Sequence, residues 1–142
     1  MTTPVAAKVK PRTISIDGET CTYWVFPMKR RYRSHYHRDR FTNHFMITLE
    51  DDRGRLFVSF FDYYQGAEQA LRDYYLNAGS LNLTWAIFER AARRILKARP
   101  GASVSLNGRG RFIRNSETEI SYFTACNIEY QLATQTLEEL LA

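Results

Sequence analysis

The densest group of chemistry-capable side chains in this sequence is MKRRYRSHYHRDRF, residues 28–41. At its centre stands His35-Tyr36-His37. Two imidazoles flanking one residue share a face when the segment is a strand, and that geometry can hold a divalent cation. A tyrosine elsewhere, Tyr74 or Tyr75, would then be the nucleophile on a phosphodiester. His44 offers a third imidazole, and Asp39 the one nearby carboxylate. The flanks oppose this chemistry. Arg33, Ser34 and Arg38 surround the pair, and cations next to a site disfavour a divalent metal unless carboxylates offset them. The acids Asp51, Asp52 and Asp62 do not repair the deficit, because Asp51 and Asp52 are adjacent in a turn and point apart. There is no Ser-His-Asp set, phosphate-cradling glycine loop or dinucleotide fingerprint. No catalytic residue, metal ligand or cofactor is therefore assigned.

The same stretch carries binding chemistry. Residues 29–40 hold six basic side chains, Lys29, Arg30, Arg31, Arg33, Arg38 and Arg40, against Asp39 alone. The whole chain has 20 basic and 15 acidic residues and a net charge of +5, so the other 130 residues are formally neutral. Charge concentrated in one segment points to a polyanion partner rather than to general solubility. Arginine and tyrosine interleave in Arg31-Tyr32-Arg33 and Tyr36-His37-Arg38. Guanidinium groups pair with phosphates, and aromatic faces stack on unpaired bases for roughly 1 to 3 kcal/mol each. The plainer alternative is a solvated loop whose charges meet acids elsewhere. Trp24, Phe57, Phe60, Phe61, Tyr63 and Tyr64 read as core, with Trp24 or Phe61 as outward stacking candidates.

The elements that position these residues follow from hydrophobic period. Residues 1–12 contain two prolines and few anchors, and read as a flexible arm. Residues 13–142 read as one domain, which suits a chain of 142 residues with 44% hydrophobic and 14% aromatic content. Asp17-Gly18 predicts a hairpin between TISI and a strand over 20–27. FTNHFMITLEDDRGRLFVSFFDYY predicts a second hairpin turning at Asp51, Asp52 and Gly54. The period then becomes helical over 67–78, ending at Gly79, and again from Asn82 or Thr84, with a stripe of Trp85, Phe88, Ala92 and Ile95 beside Ala91 and Leu96. Pro100-Gly101 ends that helix. ASVSLNGRGRFI reads as one strand with Gly108 and Gly110 on its inner face. After a turn at Asn115-Ser116, the next alternating strand runs from Ile120 to Tyr130. TQTLEELLA reads as a short helix. Cys21 and Cys126 fall in strand-like runs and read as two buried thiols rather than a disulfide or zinc site.

The segment ERAARRILKARPGASVSLNGRGRFIRNSETEISYFTACNIEY resembles the second half of OB-fold single-stranded-DNA-binding proteins of the bacterial type. The matching positions are Gly101, Val104, Leu106, Gly108, Arg109, Arg111, Arg114, Tyr122 and Ile128, over about 40 residues. The helix at 67–78 is extra, and the family's acidic tail with a hydrophobic tip has no counterpart in EELLA. The resemblance implies that Arg109, Arg111 and Arg114 lie on or near a phosphate-tracking groove. It also makes residues 29–40 the loop between the first two long strands, and it implies self-association through strand surfaces.

The expected fold is therefore α+β: a small, mainly antiparallel, five- or six-stranded OB-like barrel. Two helices precede the last hairpin, and a short helix ends the chain. The expected function is non-catalytic binding of single-stranded DNA or RNA in DNA replication or recombination. The expected contacts are Trp24, Lys29, Arg30, Arg31, Tyr32, Arg33, His35, Tyr36, His37, Arg38, Arg40, Arg109, Arg111 and Arg114. No apolar run is long enough to span a membrane, and MTTPVAAKVKPRT lacks the apolar core of a secretory leader. A cytoplasmic homo-oligomer is the expectation. One alternative is a protein-interaction module, an adaptor or inhibitor of a mobile element, that docks on an acidic or nucleic-acid-binding protein. A second is a metal-dependent nuclease of the His-x-His type found in rolling-circle and relaxase enzymes.

Overall fold

The computed structural model describes residues 11–32, 40–50, 56–62, 66–76 and 84–142. Along the chain they form β1 (Arg12–Ile16), β2 (Glu19–Tyr32), β3 (Arg40–Glu50), β4 (Leu56–Asp62), α1 (Ala67–Leu76), α2 (Trp85–Leu96), β5 (Ser103–Ser105), β6 (Arg111–Arg114), β7 (Glu119–Phe123), β8 (Glu129–Ala133) and α3 (Thr134–Leu141). All the ladders are antiparallel. They join the strands into one open sheet in the order β4-β3-β2-β8-β7-β6-β5, with β1 beside β2. The fold is thus the expected α+β class, a mainly antiparallel OB-like sheet with two helices ahead of its C-terminal strands and a short helix after them.

Among the described residues there are eight strands, more than the expected five or six. Two runs that read as single strands are each broken by a turn. Asn107 and Gly108 both take positive φ, 53° and 78°, and Arg109 N–H donates to the Leu106 carbonyl at 3.0 Å. This Asn-Gly turn folds 103–114 into the β5–β6 hairpin. Asn127, with φ 62°, closes a turn on Thr124 in the same way and separates β7 from β8. Cys126 sits in that turn and is exposed, which corrects the expectation of two buried thiols; Cys21 is buried, and the two are not joined in a disulfide. The Asp17-Gly18 hairpin forms as expected, with both residues at positive φ.

β2 is the backbone of the architecture. One of its edges pairs with β3 from Thr22 to Tyr32. The other is shared: β1 takes Glu19–Tyr23 and β8 takes Lys29–Arg31. Pro27, which has no N–H to give a ladder, falls in the interval between them. The two faces of β2 and β3 serve two cores. Phe26, Met28 and Met46 pack with Phe88, Ala92 and Ile95 of α2, Phe112, Ile120, Tyr122 and Tyr130 of the later strands, and Leu137 of α3. Tyr23, Ile47 and Leu49 pack on the opposite face with Ile14, Ile16, Ala70 and Leu71 from β1 and α1. Each Leu, Ile, Phe or Met among them stabilises the fold by about 1.5 to 3 kcal/mol through removal from water.

α2 begins at Thr84, whose hydroxyl accepts from Ile87 N–H, and buries Phe88, Ala91, Ala92 and Ile95, close to the stripe read from the sequence. Asp51, Asp52 and Gly54, with Tyr63, Tyr64, Ala78, Gly79, Asn82 and residues 1–10 of the arm, lie outside the described residues. No helix among the described residues is long and apolar enough to cross a membrane.

Candidate nucleic-acid interface

The basic stretch is not wholly a loop. Lys29, Arg30, Arg31 and Tyr32 are the end of β2, and Arg40 opens β3 directly opposite Tyr32. Arg33, His35, Tyr36, His37 and Arg38, with Asp39, lie outside the described residues. Because successive strand residues point to opposite faces, β2 splits the basic set. Arg30 and Tyr32 share the face of Met28 and the main core, with Arg40 alongside Tyr32. Lys29 and Arg31 project from the other face.

That other face is covered by β1 and α1 at one end of β2 and is open at the end where β8 pairs. Directly opposed residues lie on one face of a ladder, so the ladders define a row across it. The row is Ser105, Arg111, Phe123, Glu129, Arg31, Phe41, crossing β5, β6, β7, β8, β2 and β3. A second row runs Ser103, Ile113, Ser121, Gln131, Lys29, Asn43.

Two arginine–aromatic pairs occupy the ends of the first row. The Arg111 guanidinium lies 4.9 Å from the Phe123 ring centre, and that of Arg31 lies 5.9 Å from that of Phe41. Both distances fall within cation–π range. Phe41 is 46% exposed, the one exposed large hydrophobic residue among the described residues. Phe123 is half-buried and Arg111 exposed. From Phe123 to Phe41 is three strand spacings, about 14 Å.

Glu129 lies between the pairs and is 5% exposed. Its carboxylate accepts from Ser121 Oγ at 2.9 Å and Gln131 Nε2 at 3.2 Å, and sits 3.7 Å from Arg31. Asn115 Nδ2 extends the chain, donating to Ser121 Oγ at 2.6 Å and Glu119 Oε1 at 2.8 Å. Two hydrogen-bond donors and the Arg31 guanidinium thus surround this buried carboxylate, which is the condition for burying such a group without a large desolvation cost.

Two hollows open on the same face. One, of about 430 Å³, lies among Pro27, Lys29, Phe41, Asn43, Glu119 and Gln131. The other, of about 250 Å³, lies beside Arg111 and Phe123 and reaches Ser103 and Ser105.

The remaining predicted contacts fall elsewhere. Trp24 packs against the main core, because it shares the face of Phe26 and Met28. Arg30 lies with its guanidinium 4.4 Å over the Tyr32 ring, on the face opposite Arg31. Arg109 is half-buried in the β5–β6 turn, and its carbonyl accepts from the Tyr122 hydroxyl at 3.3 Å. Arg114 is a correction. It is 7% exposed, shares the inward face with Phe112, and donates to the carbonyls of Ile95, Leu96, Ser116 and Glu117. Its guanidinium closes the C-terminus of α2 and is not presented to a ligand.

His44 is buried and meets the Tyr130 ring edge-on at 5.7 Å. Among the described residues no three His, Cys, Asp or Glu side chains cluster to hold a metal. The sequence reading missed Phe41 and Phe123 as aromatics of the face, and Glu129 and Ser121 as its polar centre. Alternation in β7 and β8 carried the signal, since Tyr122 and Tyr130 are buried in the main core and Phe123 and Glu129 beside them therefore point to the opposite face. No protein-family model, curated protein or solved structure matches this chain.

Proposed function

We propose that the chain binds single-stranded nucleic acid without chemistry, on the outer face of β6, β7, β8, β2 and β3, in the manner of the OB-fold single-stranded-DNA-binding proteins that its C-terminal half resembles. The observation that carries the proposal is the row Arg111, Phe123, Glu129, Arg31, Phe41. Phe123 and Phe41 offer ring faces to bases. Arg111 and Lys29, with Arg31 held by Glu129, offer donors to phosphates. Stacking and phosphate contacts read no sequence, so binding is sequence-independent and falls steeply with salt. The setting proposed is cytoplasmic DNA replication or recombination. Self-association follows from the same resemblance, with β4 and β5 at the two ends of the sheet path as the strands available for it.

The test is an anisotropy titration of labelled single-stranded oligonucleotides of several sequences, at several salt concentrations, with wild type and Arg31→Glu/Arg111→Glu. The expected outcome is a loss of about ten-fold or more for every sequence alike, with a shallower salt dependence. Unchanged affinity in a folded double variant overturns the proposal.

A second reading has its own observation. The larger hollow mixes apolar Pro27 and Phe41 with charges of both signs, Lys29 and Glu119, which suits docking of a protein partner. Absence of binding to both single- and double-stranded oligonucleotides would favour it. The nuclease alternative turns on His35 and His37, and nicking of DNA on addition of manganese or magnesium tests it.

A further inference from the structure

The second concentration of positive charge in this chain lies on α2 and its exit. Residues 89–99 hold Arg90, Arg93, Arg94, Lys97 and Arg99 against one acid, Glu89. Glu89 is matched with Arg93 at 3.7 Å, and Arg93 also donates to the Leu141 carbonyl at 3.4 Å. Arg90 and Arg94 are exposed, and no carboxylate among the described residues lies within ion-pair distance of either. They stand one helical turn apart and emerge on the same side of α2. With Val104, Ser105 and Asn107 they line a notch of about 80 Å³ between the helix and β5.

This notch adjoins the proposed interface. Ser105 also borders the hollow that contains Arg111 and Phe123. β5 is the last strand of the sheet path, so no described strand separates the two hollows. Gly108, at the corner between them, has open space where a side chain would stand. A layer of helix on sheet is about 10 Å thick, which about three stacked nucleotides span.

We propose that a single-stranded nucleic acid held on the outer sheet face turns over the β5 edge and delivers a phosphate group to a clamp formed by Arg90 and Arg94. Two guanidinium groups with no competing carboxylate among the described residues suit one phosphate, because each presents paired N–H donors to its oxygens. This inference rests on the outer-face reading and extends the bound path beyond the face.

The test compares wild type with Arg90→Ala/Arg94→Ala, using oligonucleotides of about 5 and about 12 residues over a salt series. The row from Arg111 to Phe41 crosses four strand spacings, about 19 Å, so the shorter probe covers the face alone and the longer one reaches the clamp. The double variant is expected to bind the 5-mer as wild type does. It is expected to bind the 12-mer about ten-fold more weakly, with a log affinity–log salt slope reduced by about 0.7, the increment of one phosphate on a single strand. Equal affinity of variant and wild type for both probes overturns the clamp and leaves the outer face standing. Equal weakening of both probes also overturns it, since the arginines would then act on the face and not beyond its edge. Failure of wild type to bind either probe overturns the outer face and the clamp with it.

Discussion

Arg111 and Arg114 lie on one strand, three residues apart, and point in opposite directions. Arg111 reaches the open face beside Phe123, whereas Arg114 turns inward with Phe112 and ties the β6–β7 turn to the end of α2 through four carbonyls. Charge content makes the two equivalent; strand parity separates them. The parity was legible, because a buried Phe112 commits Arg114 to the same face. The inward partner of the guanidinium, the helix end, was not, because it is 18 residues away in sequence. Arg114→Ala leaves four carbonyls, that of Ile95 buried and the other three partly buried, without this donor, and is expected to destabilise the fold by about 3 kcal/mol, read as a shift of the urea midpoint. Arg114→Lys should recover only part of this, since an ammonium cannot reach carbonyls fanned around a planar guanidinium.

At the scale of elements, the β5–β6 hairpin carries a second lesson. Asn107-Gly108 is a strong local turn signal, yet the flanking alternation of Val104, Leu106 and Phe112 reads as one unbroken strand. The alternation survives because the register pairs Val104 with Phe112 and leaves three residues, 107–109, between Leu106 and Gly110, and an odd-length connection keeps parity across the hairpin. The two glycines of this hairpin have different roles. Gly108 supplies positive φ in open space, so Gly108→Ala should cost about 1 kcal/mol of backbone strain. Gly110 has φ 118°, and a Cβ there would run into the Phe123 carbonyl and the Tyr122 ring. Gly110→Ala is therefore expected to cost about 2 kcal/mol or more and to disturb the Arg111–Phe123 pair. Urea unfolding of the two variants side by side checks the contrast. The start of α2, by comparison, was legible, because Thr84 and the stripe from Phe88 to Ile95 are local signals.

At the scale of the whole molecule, the cross-sheet rows couple the interface to the core. Phe112, Tyr122, Tyr130 and Arg30 stand opposite one another on the inward face, directly beneath the row that bears Arg111, Phe123, Glu129 and Arg31. Burial, with the neighbouring Tyr130 adding to it, pushes the Tyr122 phenol up from 10.0 to about 12. Below pH 10 the phenol keeps its proton in both the folded and the unfolded chain, and contributes no pH dependence. Between pH 10 and 12 the unfolded chain loses that proton while the folded chain retains it. Stability should then fall by about 1.4 kcal/mol per pH unit across this window. Unfolding midpoints measured at pH 9 and pH 11.5 should show this fall in wild type, and a smaller one in Tyr122→Phe.

The sequence by itself determined the class of the fold, the hairpin at Asp17-Gly18, the presence of a helix starting at 67 and of another starting near Thr84, and a basic, aromatic-rich segment following a strand. These rest on local signals: turn residues, caps and hydrophobic period. Only the tertiary structure decided which basic residues act together. Arg31 and Arg111 are 80 positions apart and meet in one row because β8 pairs with β2. Arg30 is adjacent to Arg31 and faces the other way. Register between distant strands sets those pairings, and it depends on how both cores close on the two faces of β2 and β3. A local pattern carries the direction of a side chain within its strand, but not which strand will lie beside it.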